Sequence, residues 1–467
     1  MESQQRTKYE GLISTRKLVF FSFNGIISGL LFAYWGQIQY FAASVLLIPQ
    51  ATITIIYLIY SIIDGINDPV IGYLCDKSSF FTAKFGKRFP WIMIGVLASP
   101  ILLFLAFIPI SNVLLIQVIW LIVIMTIFES FMTLYEVNHS ALFPDMFREF
   151  SQRRKVVWIA SVISGIISIF TSIMIPRLLG ALGGVKLEAY IGTGLVVIII
   201  VYLLIIPFSF GVKEPNEMKV FRSALDSEKK SFSKVKEILP RIFKDKNWMA
   251  IVLANFLWAV AGACSIYGLN FYITHALGLP IETTALPSFS VAVVALIFAP
   301  IWTFIAKKIG NRKAYILGLS IVSLFYLIFF LFGNSLISLT LIYLFGGVGF
   351  SATYGVIARL LRAEGIDNAA VITGKREEGS YNGILRVFSA FSYFFQTLIF
   401  AIVAILTGYD PALGTANTEI AKLGLKVQMS LIPLIINTIG LIIFILMYKI
   451  TKEQAEHNKL ELIKLNL

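Results

Sequence analysis

Asp64 and Asp68 stand four positions apart in Ile63–Cys75 (IDGINDPVIGYLC), inside a run that is otherwise mostly apolar. At helical spacing their carboxylates share one face, about 6 Å from each other. Two such charges repel unless a cation or a proton sits between them. Pro69 adds to the set, because without an N–H it leaves the Gly65 carbonyl unpaired in a helix. Two carboxylates, the Asn67 amide and a freed carbonyl supply several hard oxygen ligands, the kind that sodium favours. The competing reading is a helix end whose acids are simply solvated.

Glu129 and Glu136 fall seven apart in another apolar run, on one helical stripe, with Tyr135, Asn138, His139 and Ser140 close by. Glu136 lies at a depth similar to Asp64 once the antiparallel course of the two segments is allowed for, so it can complete a cation site. Glu129 is either part of that chemistry or a buried, protonated structural acid. His139 has two readings as well, a hydrogen-bonded helix histidine or a ligand. Arg386 is the one basic residue well inside an apolar run, facing an anionic group or snorkelling to the surface.

The elements that must carry these groups follow from composition. Of 467 residues, 58% are hydrophobic and only 14% charged, and the mean hydropathy is +0.83. Soluble domains carry about 25% charged residues. Apolar runs occur at roughly 17–45, 50–75, 90–109, 112–145, 156–183 and 188–212, then at 248–277, 283–306, 314–333, 335–362, 380–408 and 428–450. Each is long enough to cross a bilayer as a helix. A charge at mid-membrane costs about 2.5–3.5 kcal/mol on insertion scales, which makes the acids above functional candidates. The fold class expected is an all-α membrane protein of twelve transmembrane helices in two six-helix bundles. Its parts are an N-terminal bundle over 1–212, a linker with an interfacial helix over 213–247, a C-terminal bundle over 248–451 and a tail over 452–467.

The basic residues set the topology. Thirty-four of the 39 Lys and Arg fall on one side of such a chain, while Arg177, Lys186, Lys422 and Lys426 lie in the opposite connections. The positive-inside rule makes the richer side cytoplasmic, with both termini inside. The net charge of +13 is therefore topology and attraction to anionic headgroups, not nucleic-acid binding. The polar segment Met1–Lys17 precedes a span too long for a signal-peptide core, so no cleavable signal is expected. The two halves echo each other. Asp76–Lys77 with Gly86–Lys87–Arg88 closes one connection, and Lys307–Lys313 (KKIGNRK) closes its counterpart, as in a parallel repeat. Within the linker, Val235, Ile238, Leu239 and Ile242 fall at helical spacing beside basic residues, an interfacial helix or a solvated linker.

Several classes are excluded by what is missing. No Gly-rich phosphate loop with Lys, no His-Glu-x-x-His and no Gly-x-Ser-x-Gly occurs. Cys75 and Cys264 lie far apart in apolar runs, so no disulfide framework is available. No repeated filter or pore-lining ring suggests a channel. A carrier is favoured over an enzyme, and over a receptor or scaffold, which would not require paired acids in the second span.

The Ile63–Cys75 stretch followed by Gly86–Trp91 (GKRFPW) resembles the glycoside–pentoside–hexuronide:cation symporters, the melibiose-permease-like branch of the major facilitator superfamily. Tyr135–Glu136 leading to Ala141–Pro144 resembles that family's acidic fourth-span motif. Lys236–Asn247 resembles its central loop, and Thr373–Gly379 with Tyr381–Asn382–Gly383 its stretch before the eleventh span. The order agrees over essentially the whole chain. The resemblance implies sodium or proton coupling, with Asp64, Asp68 and Glu136 as the cation-site carboxylates (sodium ligands, if the ion is not a proton) and Asn67 beside them. Its sugar-site positions depart from the pattern. Ser28 stands where a first-span Asp is usual, with Asn24 one turn earlier. Ser140 replaces a fourth-span Trp, Trp158 a fifth-span Arg, and Ala390 an eleventh-span Lys, with Arg386 one turn away. The family also includes sodium-dependent lysophospholipid carriers, whose cavity takes an amphiphile.

The expectation is a cation-coupled symporter of a sugar, glycoside or related small polar solute, working by alternating access in the plasma membrane. The alternative is the same engine moving a lysophospholipid-like amphiphile. Substrate-site candidates are Asn24, Ser28, Trp35, Tyr135, His139, Ser140, Trp158 and Arg386. No cofactor is called for beyond the coupling ion. The partners expected are the solute, a monovalent cation and the bilayer, with no nucleic acid, and the carrier is expected to act as a monomer.

Overall fold

The computed structural model describes residues 13–78, 82–147, 149–216, 218, 235–375 and 377–464. Arg6, Lys8, Arg148, Arg376 and about half of the linker lie outside the described residues. Among the described residues there is no strand. Twelve helical segments follow the apolar runs: Thr15–Ser44, Gln50–Lys77, Phe89–Leu105, Leu114–Met146, Phe150–Ala181, Leu187–Val212, Lys246–Ala276, Ile281–Ile309, Asn311–Phe332, Leu336–Thr373, Glu378–Thr407 and Glu419–Met447. They are called the first to twelfth spans below. Such segments are helical because, in lipid, every backbone group must find its partner within the segment.

Eleven of them are long and apolar enough to cross a membrane. The third, Phe89–Leu105, has 17 residues, at the lower end of the range that spans a bilayer, about 17–25. Its end is closed from the fourth span, where the Trp120 indole N–H reaches the carbonyls of Leu105 (3.3 Å) and Ile108 (3.2 Å). Gly95 lets these two spans approach closely, since a Cβ there would sit 2.6 Å from the Phe131 carbonyl oxygen.

The tenth span differs from the expectation of a helix ending near 362. It is wound as an α-helix over Leu336–Phe350, as a wider turn with i→i+5 hydrogen bonds over Ser351–Gly355, and again as an α-helix over Val356–Thr373. The apolar run stops at its arginines, but the helix does not, because Arg359, Arg362 and Glu364 are compatible with a half-exposed continuation. Gly374 ends it in the left-handed conformation.

By internal contacts the chain divides into two compact units, Met1–Phe41 with Ile62–Lys230, and Ala42–Ser61 with Ser231–Leu467. In each, the glycine of the basic turn has positive φ, Gly86 at +101° and Gly310 at +83°. In the first unit the Glu214 carboxylate accepts from the backbone N–H groups of Arg88 (2.6 Å) and Phe89 (3.1 Å), capping the third span, while Arg88 Nη1 donates to Asn138 Oδ1 (3.0 Å). In the second unit Asn311 Nδ2 donates to Glu364 Oε1 (2.7 Å), and Arg312 Nε to the Tyr448 carbonyl (2.8 Å). The two turns thus share a design, a positive-φ glycine followed by a helix start tied to a buried or half-buried acid.

The amphipathic part of the linker forms a helix over Val235–Lys244. It buries Ile242 and pairs Arg241 with Glu377. Asp245 then caps the seventh span, accepting from Asn247 and Trp248 N–H, each at 3.0 Å.

Candidate functional site

The acids of the second span are held by hydroxyls of the fourth. Thr133 Oγ1 donates to Asp68 Oδ1 at 2.9 Å, and Asn67 Nδ2 donates to Ser130 Oγ at 3.3 Å. Ser130 in turn donates to the Thr126 carbonyl at 2.9 Å. Ser130 and Thr133 stand three positions apart along the fourth span, so their hydroxyls share one helical face and both meet the Asn67–Asp68 turn. Asp64, Asn67, Asp68 and Glu136 are all half-buried, and Glu129 is buried at 6% exposure.

Ser130 and Thr133 were not among the residues picked out by sequence. Their signal was present, because both lie on the Glu129–Glu136 segment, but a hydroxyl in a membrane helix normally bonds its own i−4 carbonyl and attracts no notice. Among the described residues no group of three or more His, Cys, Asp or Glu is arranged to hold a metal ion. What the structure brings together around Asp68 is mixed, a carboxylate, an amide and hydroxyls, which suits a weakly held monovalent cation better than a divalent one.

Of the polar first-span candidates, Ser28 faces the fourth span in the same unit. Asn24 and Ser28 lie one turn apart, and Tyr135 turns its hydroxyl towards Ser28. Asn24 Oδ1, Ser28 Oγ and the Tyr135 hydroxyl are buried atoms without a hydrogen-bond partner in the structure. Buried polar groups without partners are costly, and they mark a place where water or a polar solute completes the bonding.

Of the other sequence candidates, His139 lies beside Tyr135, with ring centroids 6.3 Å apart. His139 sets Nε2 3.2 Å from the Phe21 carbonyl oxygen and stacks on the Phe21 ring at 4.2 Å, an engagement that matches the hydrogen-bonded helix histidine. Trp35 is buried and stacked on Phe128 at 4.8 Å. Ser140 is exposed, and Trp158 stands out from the fifth span with 67% of its surface exposed. Arg386 is exposed on the eleventh span, in the second unit.

A family model described as MFS/sugar transport protein matches residues 26–452. The lactose permease of Leuconostoc lactis is 22% identical over 430 residues, covering 88% of this chain and 64% of that protein. The chain thus spans a little under two thirds of that relative's length. The sodium-dependent lysophosphatidylcholine symporter 1 of Xenopus tropicalis is 23% identical over 472 residues, covering 91% of this chain and 86% of that protein. Among solved structures, the nucleoside transporter NupG superposes with a TM-score of 0.63 at 12% identity, covering 93% of this chain and 100% of that one. At that identity the likeness shows the fold alone, that of the major facilitator superfamily.

Proposed function

The chain belongs to the MFS/sugar transport protein family, and from that premise we propose that it is a secondary carrier coupling sodium or proton entry to the uptake of a sugar, glycoside or related small polar solute. Transporters of this superfamily are not enzymes, and the chemistry required is binding and release on alternate sides of a membrane. The cation is assigned to Asp64, Asn67 and Asp68, with Glu136 near and the Thr133 hydroxyl as a further contact. The hydrogen bond from Thr133 to Asp68 (2.9 Å) is the observation that carries this reading, because it holds an intramembrane carboxylate in a fixed orientation next to an amide and a hydroxyl. The solute is assigned to the cluster of Asn24, Ser28 and Tyr135, whose buried polar atoms lack partners. A cation that neutralises Asp68 and a solute that satisfies this cluster both act on the fourth span, and linkage then makes each favour the other.

The test is uptake into proteoliposomes under an imposed sodium or proton gradient. Asp68→Asn is expected to remove gradient-driven uptake while the protein still purifies as a folded carrier. Retained gradient dependence in Asp68→Asn would refute the cation assignment. A second reading, transport of a lysophospholipid-like amphiphile, is favoured by the match to the lysophosphatidylcholine symporter, 86% of which is covered. In the same assay, competition by a lysophospholipid and none by any sugar would replace the first reading with the second. We place the carrier in the plasma membrane.

A further inference from the structure

The twelfth span is not one continuous helix. It is wound as two α-helices, Glu419–Met429 and Leu431–Met447, which meet at Ser430 (φ −131°, ψ −69°). Pro433 stands four residues after Met429 and has no N–H, so the Met429 carbonyl lacks a partner in its own span. Ser265 of the seventh span supplies one, its Oγ donating to that carbonyl at 3.0 Å. Ser430 Oγ turns back and donates to the Lys426 carbonyl, at the end of the first helix. A carbonyl oxygen has two lone pairs, and the Ser265 bond takes one of those on Met429.

The side chains at this break are polar and enclosed. Gln428 is 0% exposed, and neither its Oε1 nor its Nε2 has a hydrogen-bond partner. Its amide lies along the seventh span. A Cβ on Gly268, one turn after Ser265, would stand 3.7 Å from Gln428 Nε2 and 2.6 Å from Met429 Cγ, so this glycine lets the break approach the seventh span. Tyr326 of the ninth span is fully buried as well, and its hydroxyl turns towards Ser265 without a hydrogen-bond partner. Tyr343 of the tenth span meets the same residue, donating to the Ser265 carbonyl at 3.4 Å. All of these residues belong to the second unit. A buried amide with both ends unpaired is costly. Beside an interrupted membrane helix, it marks a place where a guest completes the bonding.

We propose that this break is a second cation site, which takes one sodium ion on Gln428 Oε1, the Met429 carbonyl, Ser265 Oγ and the Tyr326 hydroxyl. These are hard, neutral oxygens, and they suit a small monovalent cation. A divalent ion would bury two charges with no carboxylate among these ligands to offset them. None of the four groups takes up a proton near neutral pH, so a proton cannot stand in for sodium here. The acids of the second span differ in this respect, because either ion neutralises them. A water that the ion retains accepts from Gln428 Nε2, which completes the amide. Interrupted membrane helices use their freed carbonyls in this way. The site lies within the second unit and needs neither Asp64 nor Asp68.

The test is the thermal-unfolding midpoint of the purified full-length protein as sodium chloride replaces N-methyl-D-glucamine chloride at constant ionic strength. It is measured for wild type, Asp68→Asn, Gln428→Leu and the double variant. Asp68→Asn is expected to gain stability with sodium still, and Gln428→Leu in that background to raise the half-effect sodium concentration about tenfold or more. Without sodium, Gln428→Leu is expected to melt no lower than its parent, because leucine removes two buried atoms that lack partners. That separates the loss of an ion ligand from damage to packing. Should Gln428→Leu melt lower, Gln428→Glu decides, since a carboxylate at the same place is expected to tighten sodium about threefold or more at neutral pH. A sodium response that is absent from Asp68→Asn, or that survives Gln428→Leu, overturns the proposal. So does a Gln428→Glu variant that binds sodium no more tightly than wild type. The acids of the first unit are tested by gradient-driven uptake and this site by sodium binding without a gradient, so the two assignments fail separately.

Discussion

Thr133 is an ordinary membrane hydroxyl except that it meets a carboxylate of the proposed cation site. Its bond to Asp68 (2.9 Å) is charge-assisted when the carboxylate is ionised, and hydrogen bonds to charged groups are worth about 1.5–3 kcal/mol. Removing the donor takes away one contact that orients the Asp68 carboxylate and raises the cost of presenting it to a cation at the proposed site. Thr133→Ala is therefore expected to raise the cation concentration for half-maximal uptake by about tenfold or more, while Thr133→Ser, which keeps the donor, stays within about threefold of wild type. Cation titrations of solute uptake decide it, and equal shifts in the two variants would assign Thr133 to packing alone. Asp64, Asn67 and Asp68 were legible in the sequence because charge in an apolar run is rare. Thr133 and Ser130 were not, because a hydroxyl in the same run is common and only the packing of the fourth span on the second gives it a partner.

Glycines at the ends of spans decide where helices stop, and two of them separate backbone strain from collision. Gly86 has φ +101°, and a Cβ there would lie 2.6 Å from the Glu214 carboxyl carbon, the group that caps the third span through Arg88 and Phe89 N–H. Gly374 has φ +64° with nothing within 4 Å of such a Cβ. A side chain in the left-handed region costs about 1–2 kcal/mol, so Gly374→Ala is expected to lower the unfolding midpoint modestly. Gly86→Ala adds displacement of the buried Glu214 and loss of its cap, and is expected to lower it clearly more. Thermal unfolding of the two purified variants measures the difference, and equal shifts would mean that the Glu214 contact contributes nothing. The basic, glycine-containing turns at both places were readable from the chain. Their acidic partners were not, because Glu214 and Glu364 lie 126 and 53 residues away from the helix starts that they hold. The length of the tenth span was hidden for a different reason. Hydropathy reports where apolar residues end, and this helix runs on to Thr373 through charged ones.

At the scale of the whole molecule, the apolar runs set the number of helices, and the basic residues carry the orientation. Thirty-four of 39 Lys and Arg fall on one side of the twelve spans, and by the positive-inside rule we expect both ends of the chain in the cytoplasm. The connection between the eleventh and twelfth spans then faces outward, and that between the eighth and ninth inward. Glu419 has 89% of its side chain exposed, and Lys308 is exposed, so a cysteine at either place is open to labelling. Cys75 and Cys264 are both buried, which keeps the native background low. In intact cells, Glu419→Cys is expected to react with a membrane-impermeant maleimide, while Lys308→Cys reacts only after lysis. The reverse pattern would invert the chain in the bilayer and, with it, the face from which a cation would first reach the proposed site at Asp64 and Asp68. Because a symporter's driving gradient has a fixed direction across the membrane, the same labelling result also fixes which gradient the proteoliposome assay must impose to load the acids from their physiological side.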